Sequence, residues 1–170
     1  MGFLRVVSVV FLTSLTVTFA QKFLEIHCQH CPPLWTLYDS HCFRFFGTPK
    51  TFAEADKHCQ QFFTHVGQGH LVSITNVAED NLMYNMWQST CGTAFDTVYM
   101  GLTDRQEEGN FVWLDGSGLS YTNWKDGEPN NTNRDESCAG LLSGPSSQYW
   151  EVVPCSREYV FICKMPTIHY

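Results

Sequence analysis

Eight cysteines, at positions 28, 31, 42, 59, 91, 138, 155 and 163, all fall after residue 20 of a 170-residue chain. What precedes them decides how they behave. Met1–Arg5 is a short positive start, Val6–Leu15 an apolar run, and Thr18-Phe19-Ala20 carries small residues at its first and last positions. These are the three parts of a secretory signal peptide, cleaved near Ala20. The run is short, broken by Ser8, Thr13 and Ser14, and has no basic cluster behind it, so it does not read as a membrane anchor. Secretion brings the thiols into an oxidising compartment, where disulfides are the default. The string His27-Cys28-Gln29-His30-Cys31 has zinc-ligand residue types, but no second closely spaced cysteine pair completes a site.

Residues 21–170 are enough for one domain with its own core, and no later stretch is long and apolar enough to insert in a membrane. The chain carries 10 basic and 17 acidic residues, a formal charge of −7. That balance excludes nucleic acid and anionic membrane surfaces as natural partners and suits a cation binder. The seven histidines are scattered, and no Ser/His/Asp or Cys/His pair stands in a recognisable catalytic context. The chain therefore does not read as an enzyme.

Local patterns divide the domain into helices first and strands later. Cys31–Phe46 has the form of a hairpin, with Trp35, Leu37 and Tyr38 before a polar Asp39-Ser40 turn and aromatics after it. Thr51 and Glu54 form a capping-box pair ahead of Phe52, Ala55, Cys59 and Phe62 at helical spacing. A second helix is predicted over Asn76–Trp87, with Ala78, Leu82, Met83, Met86 and Trp87 as its apolar stripe and Glu79 and Asp80 beside its positive end. Short strands are predicted at Val98–Leu102, Phe111–Leu114, Tyr149–Val153 and Tyr159–Lys164, which makes the fold class α+β. Thr122–Cys138 is a long polar loop without periodicity, and such loops inside compact domains carry function.

Several short motifs now resemble one family. Cys31-Pro32 with Trp35, the helix ending in Cys59, Tyr99–Leu102, Trp113–Gly116, Asn123-Trp124, Glu128-Pro129-Asn130, Trp150, Pro154-Cys155 and Phe161–Cys163 together resemble the C-type lectin-like domain. The likeness is to its long form with an amino-terminal hairpin, as in soluble invertebrate or venom lectins. The resemblance implies this organisation: signal peptide 1–20, short lead 21–30, carbohydrate-recognition domain 31–165, tail 166–170. It also implies the pairs Cys31–Cys42, Cys59–Cys163 and Cys138–Cys155. Cys28 and Cys91 are left over, to bridge each other within the chain or to link two chains into a disulfide-bonded homodimer.

The same resemblance implies a secreted, calcium-dependent lectin that binds glycans of the mannose, glucose or N-acetylglucosamine type. Calcium takes roughly six to eight oxygens. Glu128 and Asn130, joined by a cis Pro129, would supply two, and Glu136 matches another family ligand. Where the family has Trp-Asn-Asp, this chain reads Trp150-Glu151-Val152, so the Glu151 carboxylate and the Val152 backbone carbonyl are expected to take those places. Glu128, Asn130, Glu136 and Glu151 would then also meet the sugar hydroxyls. At the family's second ion position Asp104 and Glu108 match, but Asn131 and Ser137 stand where carboxylates are expected, and no second ion is assigned. The alternative is a lectin-like domain that has lost sugar binding and recognises protein, mineral or ice. Asn130-Asn131-Thr132 is the only N-glycosylation sequon in the chain.

Overall fold

A hairpin opens the fold because the turn at Asp39 takes a left-handed backbone conformation, φ 51°, which short polar side chains tolerate. Strand β1 (Thr36–Tyr38) and strand β2 (His41–Lys50) pair across it with Leu37 opposite Cys42. The computed structural model describes residues 30–130, 136–143 and 147–168, with Thr93 described in its backbone only. The expected signal peptide, Cys28 and the lead up to Gln29 therefore lie outside the described residues, and His30–Ile168 form one unit.

Helix α1 spans Phe52–Cys59. Its Glu54 carboxylate accepts from both the Thr51 backbone N–H (3.2 Å) and the Thr51 hydroxyl (2.7 Å), so the expected pair forms. Phe62 lies beyond the helix and packs against the core from there. After strand β3 (His70–Leu71), helix α2 spans Val77–Cys91, a turn longer than predicted. Asn76 caps it, accepting from the N–H groups of Ala78 and Glu79 at 2.9 and 3.0 Å. Its buried face differs from the predicted stripe: Met83 and Trp87 are buried as expected, but Ala78 is exposed while Glu79 and Asp80 are buried. Each of those carboxylates has a specific partner, and that is what permits the burial.

A 3-10 turn (Gly92–Ala94) leads to strands β4 (Thr97–Thr103), β5 (Val112–Trp113), β6 (Glu136–Ser143), β7 (Gln148–Pro154) and β8 (Tyr159–Pro166). The sheet runs β1-β2-β8-β4-β6-β7, with β3 added on β8 and β5 on β4; β4 and β8 pair in parallel. This is the expected α+β class, with β3 and β6 as additions that the sequence reading did not contain. The long loop is correspondingly shorter, since Glu136 already opens β6. Among the described residues, no helix is long and apolar enough to cross a membrane.

All three implied disulfides are present: Cys31–Cys42, Cys59–Cys163 and Cys138–Cys155. The second closes 104 residues between α1 and β8. In the chain-entropy account a closure of that length stabilises by roughly 4–5 kcal/mol. One apolar cluster gathers Phe43, Met83, Trp87, Trp113, Trp150 and Ile162; a second surrounds Cys59 and Cys163 with Trp35, Phe52, Tyr99 and Phe161. Between α2 and β8 lies a buried ion pair. Lys164 Nζ donates to Glu79 Oε1 at 3.1 Å and to the Ser73 carbonyl at 3.2 Å, with both charged side chains only 5–6% exposed. Burial works against the Glu79 carboxylate, but the Thr75 N–H, the Lys164 ammonium and the Thr75 hydroxyl outweigh it and hold its pKa below the ordinary value.

Candidate functional site

Strand β7 is the last strand of the sheet, so one edge of its backbone is open. Residues 123–128 cover that edge. Trp150 N–H donates to the Asn123 carbonyl (2.7 Å) and Lys125 N–H donates to the Trp150 carbonyl (2.9 Å), so Trp124 runs parallel to Trp150 as a one-residue extension of the sheet. The chain then turns. Glu128 N–H returns to the Lys125 carbonyl at 2.9 Å, and Gly127 sits at φ 91°, a conformation that side chains disfavour.

The Glu128–Pro129 bond is cis, as the motif implied. Glu128 Oε2 accepts from Asn130 N–H and from Val152 N–H, both at 3.1 Å. One carboxylate oxygen thus joins the loop to the sheet edge. Trp150 spends both its N–H and its carbonyl on the loop, and residues two apart in a strand point their polar groups the same way. The Val152 carbonyl therefore lies on the same edge as Glu128, where a metal-ligand role requires it.

The other predicted residues fall less simply. Glu151 points to the opposite face of β7 from Trp150 and Val152, and its Oε2 lies 3.4 Å from Lys125 Nζ. With side chains 48% and 31% exposed, this pair is weak, but it gives Glu151 a cation already. Glu136 pairs in register with Pro154, two residues along β7 from Val152. The Cys138–Cys155 bridge fixes that end of β6 against the end of β7. Asn130 is exposed. Among the described residues no three His, Cys, Asp or Glu side chains come together as a metal-holding group. The structure thus brings Glu128, Asn130 and Val152 together, and pairs Glu151 with Lys125 instead of joining it to them. Residues 131–135, including the Asn131 position, lie outside the described residues. The groups placed on this edge are the Glu128 carboxylate and the Val152 carbonyl, oxygen donors of the kind a calcium ion accepts, with Asn130 next to them in the chain. At the second position Asp104 is 2% exposed and its Oδ2 accepts from Gly109 N–H at 2.9 Å, closing a turn.

What holds the loop stem in place is a residue that sequence reasoning assigned to the helix dipole. Asp80 is fully buried. Its Oδ2 accepts from Tyr121 Oη (3.1 Å), Asn123 Nδ2 (2.9 Å) and Gln148 Nε2 (3.2 Å), and its Oδ1 from Trp150 Nε1 (2.9 Å). Two of these donors belong to the loop stem and two to β7, so one carboxylate ties both to α2. Burial, and then the Asp80 charge, push the Tyr121 hydroxyl up to about 12, which keeps it a donor at any physiological pH. Trp150 is in turn boxed by Trp113, Tyr121 and Trp124, with ring centroids 5.6–5.8 Å away and planes at 81°. Edge-to-face aromatic packing of this kind adds to area burial. The sequence signal for Asp80 was its spacing, three and seven residues before the buried Met83 and Trp87.

A family model described as Lectin C-type domain matches residues 48–165. The alpha-N-acetylgalactosamine-specific lectin of Patiria pectinifera is 44% identical over 144 residues, covering 81% of this chain and 83% of that protein. Echinoidin of Heliocidaris crassispina is 38% identical over 144 residues, covering 80% of this chain and 97% of its own length. Among solved structures, the EPNH mutant of CEL-I matches with a TM-score of 0.74 at 30% identity, over 81% of this chain and 97% of that one; CEL-I comes from Cucumaria echinata.

Proposed function

Because the chain belongs to the C-type lectin family, we propose that it is a secreted, calcium-dependent lectin whose preferred ligands are mannose-, glucose- or N-acetylglucosamine-type sugars. The observation that carries this is the Glu128 carboxylate, which stands before a cis Glu128–Pro129 bond and accepts from the Val152 N–H on the outer edge of β7. Glu128, the Asn130 amide oxygen, Glu136 and the Val152 carbonyl would hold the ion, which when bound draws two neighbouring sugar hydroxyls into its shell. Glu128 accepts a hydrogen bond from one hydroxyl, and the Asn130 amide donates to the other. This donor–acceptor alternation reads the angle between the hydroxyls. Lys125 keeps the Glu151 carboxylate out of that exchange until it is displaced. The leader sequence and the three disulfides support secretion.

Two observations favour other readings. The Patiria relative is named for N-acetylgalactosamine, which favours that sugar. The Lys125–Glu151 pair and the Val152 side chain, where the family has amide and carboxylate, favour a domain that recognises a protein, mineral or ice surface without calcium. Retention of protein free of N-glycan, made in an oxidising bacterial periplasm, on immobilised mannan and on immobilised N-acetylgalactosamine, with calcium and with excess chelator, tests all three. Mannan retention that chelator abolishes is expected. Chelatable retention on N-acetylgalactosamine alone would replace the preferred sugar, and no chelatable retention on either would sink the lectin reading.

A further inference from the structure

Asn130 stands in two chemical contexts at once. Its side-chain amide belongs to the proposed ligand set, on a backbone whose N–H donates to Glu128, and it is the acceptor residue of the chain's only sequon, Asn130-Asn131-Thr132. The three disulfides require synthesis through an oxidising secretory compartment, which in eukaryotic cells is also where N-glycans are attached. Asn130 is exposed on a loop, the placement an N-glycan needs, and Asn131 at the middle position leaves the sequon functional where a proline would not.

We propose that Asn130 carries an N-linked glycan and that this glycan closes the sugar-binding edge, so that occupancy of one sequon divides the secreted protein into binding and non-binding forms. In the transfer step Asn130 Nδ2 attacks C1 of the first N-acetylglucosamine of a lipid-diphosphate-linked oligosaccharide. The C1–O bond to the diphosphate breaks, the lipid diphosphate leaves, and one Nδ2 proton passes to base on the transferase. The product amide keeps a single N–H, now beside its own bulky substituent. A hydroxyl that must approach both Asn130 and Glu128 finds that approach filled, because the Asn130 backbone N–H bonds Glu128 Oε2 and keeps the root of the glycan beside that carboxylate. The modification itself needs only the sequon and the exposure. Its effect on binding rests on the lectin reading above.

The test compares three preparations of the full chain: wild type from a glycosylating eukaryotic secretory host, Thr132→Ala from the same host, and wild type from an oxidising bacterial periplasm. Thr132→Ala removes the sequon and keeps the Asn130 amide. The bacterial wild type serves if that variant misfolds, which its unfolding temperature reveals. Intact mass is measured before and after peptide N-glycosidase, whose release converts the carrier Asn130 to aspartate and so marks it in a peptide map. Sugar affinity is then measured in calcium. The expected result is a releasable glycan on Asn130 in the first preparation only, and sugar binding about tenfold or more tighter in the other two. Unmodified Asn130 in the first preparation would overturn the proposal whatever binds. A glycan with equal sugar affinity in all three would overturn the closing role. A glycan on Asn130 with no sugar bound by any preparation would uphold the modification and overturn the closing role together with the lectin reading.

Discussion

Replacing Asp80 tests whether one buried carboxylate organises the loop stem. In Asp80→Ala all four donors lose their acceptor. Tyr121 and Asn123 are partly exposed and can turn to water, but Trp150 is fully buried and Gln148 is 8% exposed. A buried donor left unsatisfied costs about 1–3 kcal/mol, and bonds to a charged acceptor lie at the upper end. Gln148 retains its bond to Asn81 Oδ1 at 2.9 Å, which lowers its share. The expected loss for Asp80→Ala is therefore about 3–5 kcal/mol. In Asp80→Asn the amide oxygen can occupy the Oδ2 place and keep three donors, while its NH2 group faces Trp150 Nε1. Trp150 Nε1–H and that NH2 group are then both orphaned, and the loss falls only to about 2–4 kcal/mol. Urea unfolding of the disulfide-intact protein at neutral pH, followed by tryptophan fluorescence, measures both. A loss below about 1 kcal/mol in Asp80→Ala would refute the reasoning, because it would mean that water replaces the carboxylate without cost.

The remaining expectations are narrower. Glu79 has its pKa held below the ordinary value of 4.5, so its contribution is fully present above about pH 4.5 and is lost as pH falls through the lower folded-state value; stability should fall less steeply on acidification in Glu79→Gln than in the wild type, and identical slopes in pH-dependent unfolding would reject this. The double change Glu151→Asn with Val152→Asp keeps the carboxylate count and restores the family's ligands. It should raise calcium affinity about tenfold, close to 1.4 kcal/mol, by calorimetry; because Val152 is only 6% exposed, the calcium-free double variant should also unfold at lower temperature. Cys91 forms no disulfide among the described residues, and Cys28 lies outside them. A non-reducing gel is expected to show a dimer that Cys91→Ser abolishes, and a monomer with no detectable free thiol would decide for the internal bridge.

The parts of this molecule that could be read from the sequence are those where a local pattern and a tertiary role coincide. Strand β4 carries Val98, Tyr99, Met100 and Leu102 between two threonines and is buried along its whole length. The disulfide pairing and the cis bond at Pro129 came with the family motifs, not with any spacing rule. Strand β6 was missed because Glu136-Ser137-Cys138-Ala139-Gly140 is small and polar, without the β-branched or aromatic residues that announce a strand. Its composition has a reason in the packing. A Cβ at Gly140 would stand 2.7 Å from Thr97 Cγ2 and 3.4 Å from Val153, so neighbouring strands leave no room for a larger residue there. Asp80 was misread for a related reason. A carboxylate in a first helical turn is explained equally well by the helix dipole and by burial, and only the three-dimensional convergence of Tyr121, Asn123, Gln148 and Trp150 separates the two. The Lys125–Glu151 pair likewise joins residues 26 apart, and no periodicity reports it.

The two backbone bonds between His30 and Ile168, 3.2 and 3.1 Å, bring both ends of the described chain to one place, beside the continuation of β8. Three strand steps separate β8 from β7 in the sheet order, about 14 Å at the usual spacing. An attachment made at His30 or Ile168 therefore sits three strands away from the one that Glu128 meets. If Glu128 and Asn130 bind sugar as proposed, copies joined near His30 or Ile168 can present their binding edges outward to a surface of repeated sugars. Weak single contacts then add through effective concentration, with the spacing between edges set by the attachment alone.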